Sequence, residues 1–368
     1  MTRGASLLSF LDELQESHGG AIPVENYLRE ALYHPEFGYY SQNIRTVGHR
    51  GDFATSATLG SNLGRALARW LAVHRPTSGS WHVIEAGAGS GELAATILKS
   101  LPWWTRRSVN YHIVESSPVL RGEQQSRLRR QRVSWHNSMP EALTACSGRA
   151  SIFSNELVDA FPCRTYERRS ECWHEVGVRI TGGKIEEVLL ADRPVPRTSI
   201  FKVPYPDGQR VEVHVAAAEW LHSWTPRHTS GQLLTIDYGD RADTLLHRRP
   251  HGTLRAYFHH QQIGGLAVYH RFGRQDITAD VNFTDLQAWG EDLGYETERL
   301  TDQSGFLTEY GGRSSQITPH DAALANISGA GSAFKVLIQN RRTTPAARPP
   351  ADWLFLQQAK ARSDRDKG

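Results

Sequence analysis

The sequence predicts an α/β protein: a mostly parallel, seven-stranded sheet with helices on both faces, a helical cap before it and a β-rich insertion within it. Three observations carry this. Short apolar runs alternate with helical stretches between 81 and 155; a glycine-rich turn joins the first run to its helix; and the alternation stops at 164, resuming near 231. Strands linked through helices pair in parallel, because a crossover returns the chain to the same end of the sheet. A ligand site then belongs beyond the carboxyl ends of the strands, where the winding reverses.

Residues 7–72 read as mostly helical, broken by a turn at Pro35 and Gly38 and by the 48–51 stretch. GSNLGRALARWLAV, from Gly60, sets Leu63, Leu67, Trp70 and Leu71 on one face and reads as a packing helix. WHVIEA (81–86) is the first core strand and GELAATILKSL its helix. NYHIVE (110–115), RVSW and ASIFSN (150–155) are the second, third and fourth strands, with the helical VLRGEQQSRLRRQ after the second. Within 164–230, WHEVGVRITGGKIEEVLLA reads as a hairpin turning at Gly182 and Gly183, followed by a Pro-rich loop and a helix over 216–223. GQLLTIDYG (231–239) is the fifth strand, FTDLQAWGEDLG a helix, 295–300 the sixth strand and AFKVLIQN (333–340) the seventh. The chain thus divides into a cap (1–76), a Rossmann-like sheet domain (77–344) with its insertion at 164–230, and a Pro/Arg-rich tail (345–368). The tail holds one apolar stretch, 353–356, which either tucks onto its own domain or docks on another chain.

With 368 residues, 39% hydrophobic and 22% charged, the chain can bury a core and is no disordered scaffold. No window approaches the ~18 uninterrupted apolar residues of a membrane span, so no membrane insertion is expected. Asp12 and Glu13 interrupt the apolar part of the first twenty residues, which reads as an amphipathic helix and not a signal peptide. These features lead to the expectation of a cytoplasmic protein. Cys146, Cys163 and Cys172 show no CxxC spacing, which argues against a disulfide framework and a zinc ribbon. Seventeen histidines include no HExxH and no metal-binding frame, so they read as surface or packing residues and no metal is expected. A net charge of +3 is too weak and scattered to indicate nucleic acid. The densest basic stretch, 121–132, is either a solvated helix face or a site for an acidic partner.

The chemistry concentrates in three places. VIEAGAGSGELA runs a strand through Glu85 into Gly87, Gly89 and Gly91 at alternate positions and then into a helix. Glycines let the backbone turn at positive φ and let a ligand lie against bare main chain. Compared with the dinucleotide fingerprint, the third glycine comes one residue early. That spacing suits a ligand whose nearest part is an amino acid, as in S-adenosylmethionine. Glu115, closing the second strand, can accept hydrogen bonds from both ribose hydroxyls. Asn137, after the third strand, reads either as a partner for the adenine edge or as a plain loop residue. The fourth strand ends in SNELVDAFP, where Asn155, Glu156 and Asp159 lie on a turn expected to enter a helix. A carboxylate there can grip a guanidinium bidentately and later accept its proton, while in-line positioning supplies much of the rate of a methyl transfer.

These segments, with LYHPEFGYYS (32–41), GDFATS (51–56), VESSPVLR (114–121), LLTIDYG, GTLRAYFHH (252–260), DITADVNFTDL (276–286) and the terminal FKVLI, resemble the MidA-like methyltransferases. The mitochondrial members of that family are protein arginine methyltransferases acting as respiratory complex I assembly factors. The resemblance implies a class I methyltransferase fold with its seventh strand antiparallel. It also implies S-adenosylmethionine held by Asp52, Phe53 and Thr55, by the loop from Gly87 to Gly91 and by Glu115, with Asn155, Glu156 and Asp159 facing the acceptor. The implied acceptor is an arginine of a partner protein. After GDFATS the family continues Pro-Glu, whereas this chain has Ala57 and Thr58, which removes a carboxylate near the cofactor but leaves the nucleoside pocket. Methylation of a small molecule, or an assembly chaperone that binds the cofactor without turnover, are the competing readings.

Overall fold

The computed structural model describes residues 3–43, 61–191, 193–259, 261–311 and 333–342. Asp52, Phe53, Thr55, the pair Ala57 and Thr58 and the tail lie outside these. The seven core strands are β1 (Trp81–Ala86), β2 (Val109–Val114), β3 (Val133–His136), β4 (Ser151–Asn155), β5 (Gln232–Asp240), β6 (Tyr295–Asp302) and β7 (Phe334–Arg341). They lie in the order β3-β2-β1-β4-β5-β7-β6, and the winding reverses between β1 and β4. From β3 across to β5 every pairing is parallel. Only β7 runs antiparallel to its neighbours β5 and β6. A two-residue strand, Val281–Asn282, adds to the edge of β5.

Alternation along the strands supplies two cores. Trp81, Val83, Ile236 and Val336 face one side, under α3 (Asn62–Val73), α4 (Glu92–Ser100) and α9 (Gln303–Tyr310). Ile84, Ile152, Leu233 and Leu337 face the other, under α6 (Met139–Ala145), α7 (Val215–Trp224) and α8 (Phe283–Asp292). Leu63, Leu67, Trp70 and Leu71 of α3 are all buried as their spacing requires, and burial of each is worth about 1.5–3 kcal/mol. Between β2 and β3, α5 (Pro118–Arg127) starts with Ser117, whose side chain accepts from Leu120 N, and with a proline in its first turn.

The N-terminal segment is less purely helical than the sequence suggests. Between α1 (Arg3–Ser17) and α2 (Val24–Tyr33), the pair Ile22–Pro23 forms a strand against Cys172–Thr181 of the insertion. That strand turns at Gly182 and Gly183 into Lys184–Leu189, as read. It also pairs with Arg164–Arg169, which pairs in turn with Arg210–Val213. A third sheet, Arg255–Phe258 between Gln261–Ile263 and Asp276–Thr278, has strands too short for the sequence to announce. Tyr27, Leu28 and Leu32 of α2 pack with Val176, Val178, Ala256 and Ile277, which fastens α2 to both smaller sheets.

Three histidines also meet. His82 Nδ1 lies 3.1 Å from His112 Nε2, and His112 Nδ1 lies 2.9 Å from His136 Nε2, in a diagonal row across β1, β2 and β3. Burial lowers all three below the usual imidazole range, His112 to about 4, so they pack as neutral rings. The ligating atoms of His82, His112 and Cys146 fall within 4.8 Å of one another. This group of metal-ligand type spans two strands and a helix end, so no spacing rule could reveal it.

Candidate active site

A cleft of about 920 Å³ opens at the carboxyl ends of β1, β2, β4 and β5, at the switch point. Its size and place are those of a small-molecule site. Glu85, Gly87, Gly89, Glu115, Asn137, Asn155, Glu156 and Asp159 all line it.

One half is built by the chain around β1 and β2. After Ala86 the backbone passes through Gly87, Gly89 and Gly91 at φ +69°, +51° and +76°. A Cβ on Gly87 would be strained by the positive φ, and would meet Leu157 Cδ1 at 2.8 Å, which would have to move aside. Gly87 N donates to Val114 O (3.0 Å) and Gly91 N to Ala88 O (2.8 Å), fixing the turn that launches α4. Glu115 follows β2, its Oε1 accepting from Ser117 N (2.9 Å) and its Oε2 from Gln124 Nε2 (3.0 Å). Burial raises the Glu115 carboxyl, and these hydrogen bonds oppose the rise. Gln124 is a residue the sequence reading missed. It is fully buried, donates also to Gly89 O (2.9 Å) and accepts from Trp135 Nε1 (3.1 Å), so one amide ties the glycine turn to Glu115. Within VLRGEQQSRLRRQ nothing local separates it from its neighbour Gln125. Glu85 lies deeper, where Tyr111 Oη donates to its Oε2 (2.6 Å); burial pushes its carboxyl up to about 7. Asn137 sits exposed at the edge, its backbone N donating to Glu141 Oε2 (2.8 Å).

The other half is assembled from distant segments. The turn after β4 does not enter a helix, contrary to expectation. Asp237 of β5 takes the place of helical carbonyls: its Oδ2 accepts from the amides of Leu157 (3.1 Å), Val158 (2.8 Å) and Asp159 (3.3 Å). Glu156 is held at φ +51°, an uncommon conformation for a side-chain-bearing residue. Asp159 faces Asp276, to whose Oδ1 Tyr40 Oη donates (2.6 Å). Tyr33 stacks on Tyr40 with centroids 5.4 Å apart and donates to Ala160 O (2.9 Å). Burial, then Asp237, Asp276 and Glu156, hold Asp159 well above the usual carboxylate range; Arg255 opposes them. Arg255 is itself bound by Asp280 and lies over the Tyr238 ring at 5.7 Å. The pocket is therefore acidic: Arg29, which lines it, pairs with Glu25, and Arg255, outside the lining, pairs with Asp280. Asp237, Asp276, Tyr33 and Tyr40 escaped the sequence reading as site residues, although the three segments that carry them are all among the motifs quoted above.

The cleft fits an adenosyl amino acid. It offers a turn of bare backbone, a carboxylate closing the second strand, and a buried acceptor, Asn155 Oδ1, with no partner among the described residues. Comparison with known proteins points the same way. A family profile for S-adenosyl-L-methionine-dependent methyltransferases matches residues 63–301. A superfamily member from Burkholderia thailandensis, crystallised with S-adenosyl-homocysteine bound, is similar over 94% of both chains at 30% identity, with a TM-score of 0.77. Among curated proteins, the mitochondrial protein arginine methyltransferase NDUFAF7 of Danio rerio is 29% identical over 76% of this chain and 72% of its own. The Caenorhabditis elegans homolog is 26% identical over 74% of this chain and 69% of its own. These relatives correct the expectation of a cytoplasmic location, since they are mitochondrial proteins. Charge balance and apolar content describe how a chain folds and not the compartment it reaches. Profile, fold and cleft agree, and this protein belongs to the MidA-like family of S-adenosyl-L-methionine-dependent methyltransferases, with S-adenosylmethionine as its cofactor.

Proposed function

We propose that this protein methylates an arginine side chain of a partner protein. The observation that carries the reading is the convergence of Glu156, Asp159 and Asp276 in one half of the cleft. A guanidinium is a permanent cation with a planar donor edge, and carboxylates are its natural partners. Burial and the neighbouring acids hold the Asp159 proton above the ordinary carboxylate range. An arriving guanidinium would restore its charge, so binding releases that proton. Bound S-adenosylmethionine supplies a methyl group activated by its sulfonium. The task of Asp159 and Glu156 is to orient the acceptor nitrogen and take its proton as the nitrogen gains the methyl group. Tyr40 holds Asp276, and Asp237, through the turn amides, holds the segment that carries Glu156 and Asp159. We assign Glu115 and the turn from Gly87 to Gly91 to the nucleoside and amino-acid ends of the cofactor. The cap and the 164–230 insertion frame the acceptor entrance, where Arg29, Glu219 and Trp220 line the cleft. The names of the curated relatives support the same acceptor.

The test is incubation with radiolabelled S-adenosylmethionine and a lysate of the source organism, followed by mass spectrometry of labelled bands. Methylarginine in a protein band that is lost with Asp159→Asn supports the reading. Label confined to small molecules, or no label with the cofactor demonstrably bound, overturns it.

A further inference from the structure

Apart from Gln124 and Arg121, which brace Glu115, the basic stretch 121–132 has no part in the cleft, and the structure joins its end to something the sequence keeps apart. Trp103 and Trp104, on the short helix Trp103–Ser108 before β2, are 57% and 61% exposed. Their rings meet edge to face at 5.9 Å. Arg107 lies over the Trp103 ring at 5.1 Å, and Arg132 Nη1 donates to Arg107 O (3.5 Å). Because β2 and β3 pair in parallel, the chain entering each strand arrives at the same edge of the sheet. Arg132, with Arg129 and Arg130 just before it in the chain, therefore arrives at the edge that carries Arg106, Arg107 and the two tryptophans, and all but Arg106 are exposed. Neither 102–108 nor 129–132 contains an acidic residue.

We propose that this edge is a docking surface for an anionic lipid bilayer. Large exposed indoles are costly in water, and they settle at the boundary of headgroups and acyl chains, where ring and N–H are both satisfied. Arginines beside them are drawn to a negative headgroup layer, and that attraction is screened by salt. The contact lies on the membrane and not across it; among the described residues no helix is long and apolar enough to span one. The patch sits at the amino ends of β2 and β3, whereas the cleft opens at the carboxyl ends, so a flat partner here leaves the cleft free. A bilayer fits this arrangement better than an acidic protein segment, because two adjacent indoles stand exposed together at the start of one short helix, where an acidic segment would satisfy the arginines and leave the rings in water.

The test is flotation of the full chain with vesicles of phosphatidylcholine alone and of phosphatidylcholine with phosphatidylglycerol. The protein should float only with the anionic vesicles and be released by high salt. The double variant Trp103→Ser, Trp104→Ser, and the triple variant Arg129→Gln, Arg130→Gln, Arg132→Gln, should each cut flotation several-fold. Calorimetry should show unchanged affinity for S-adenosyl-homocysteine in both, confirming that they fold. Failure to float with anionic vesicles, or flotation indifferent to both variants, overturns the proposal. So does binding of polyglutamate or single-stranded RNA at this patch with no vesicle binding.

Discussion

Among the described residues, the half of the cleft we assign to the cofactor is drawn from one continuous stretch, 81–137, while the half we assign to the acceptor gathers Tyr33 and Tyr40, Glu156 and Asp159, Asp237, and Asp276 from four separate ones. The first half is fixed mainly by backbone: positive φ at three glycines and hydrogen bonds between adjacent parallel strands. The second is fixed by side chains reaching across neighbouring segments: Asp237 of β5 accepts from the turn after β4, and Tyr40 donates to Asp276 of the third sheet. A site built locally tolerates change elsewhere in the fold. A site built from remote carboxylates depends on every element that carries one, and its charges are coupled.

The sharpest attempt to break this contrast is Asp237→Ala. It strips three amides, two of them buried, of their acceptor and should cost about 3–5 kcal/mol of stability by urea unfolding. A loss well below that would show that the turn after β4 holds itself, and that the acceptor half is as local as the other. Next, Asp159→Asn should leave affinity for S-adenosyl-homocysteine intact while lowering methyl transfer by roughly 10²–10⁴-fold, the scale of general base catalysis. Transfer at the wild-type rate would make Asp159 structural. The reverse pattern is expected of Glu115→Ala: cofactor binding weakened by about 1.5–3 kcal/mol, the worth of a hydrogen bond to a charged group. Unchanged affinity by calorimetry would remove Glu115 from the nucleoside pocket.

The smallest effect concerns Glu85, beneath the glycine turn. Its folded carboxyl titrates near 7 against an ordinary value of 4.5 because it is buried. Between those values the folded state keeps a proton that the unfolded state has lost. The stability this group contributes is thus fully present below pH 4.5 and declines as pH rises through 7. Glu85→Gln, which has no proton to lose, should flatten that limb of the Tm profile. A slope unchanged by the substitution would place the titration elsewhere.

The strand-turn-helix around Gly87 was legible because its geometry is demanded residue by residue, and the packing face of α3 because helical spacing alone fixes it. Glu115 could be placed because it closes a strand whose neighbour was already known. Asp276 and Tyr40 could not be paired, since they meet through a three-residue strand and a turn that carry no periodic signal. The expected helix after β4 failed for a related reason. A buried carboxylate eighty positions away serves its amides better than a following turn of helix would.

By itself, then, the order of residues determined the parallel sheet, its glycine turn and the acid beside it, because those follow from backbone stereochemistry and short-range periodicity. Only the tertiary structure decided which acids share one end of the cleft, how firmly Asp159 holds its proton, and which arginines flank the exposed tryptophans. Those depend on distances through space and on burial, and neither is a function of separation along the chain.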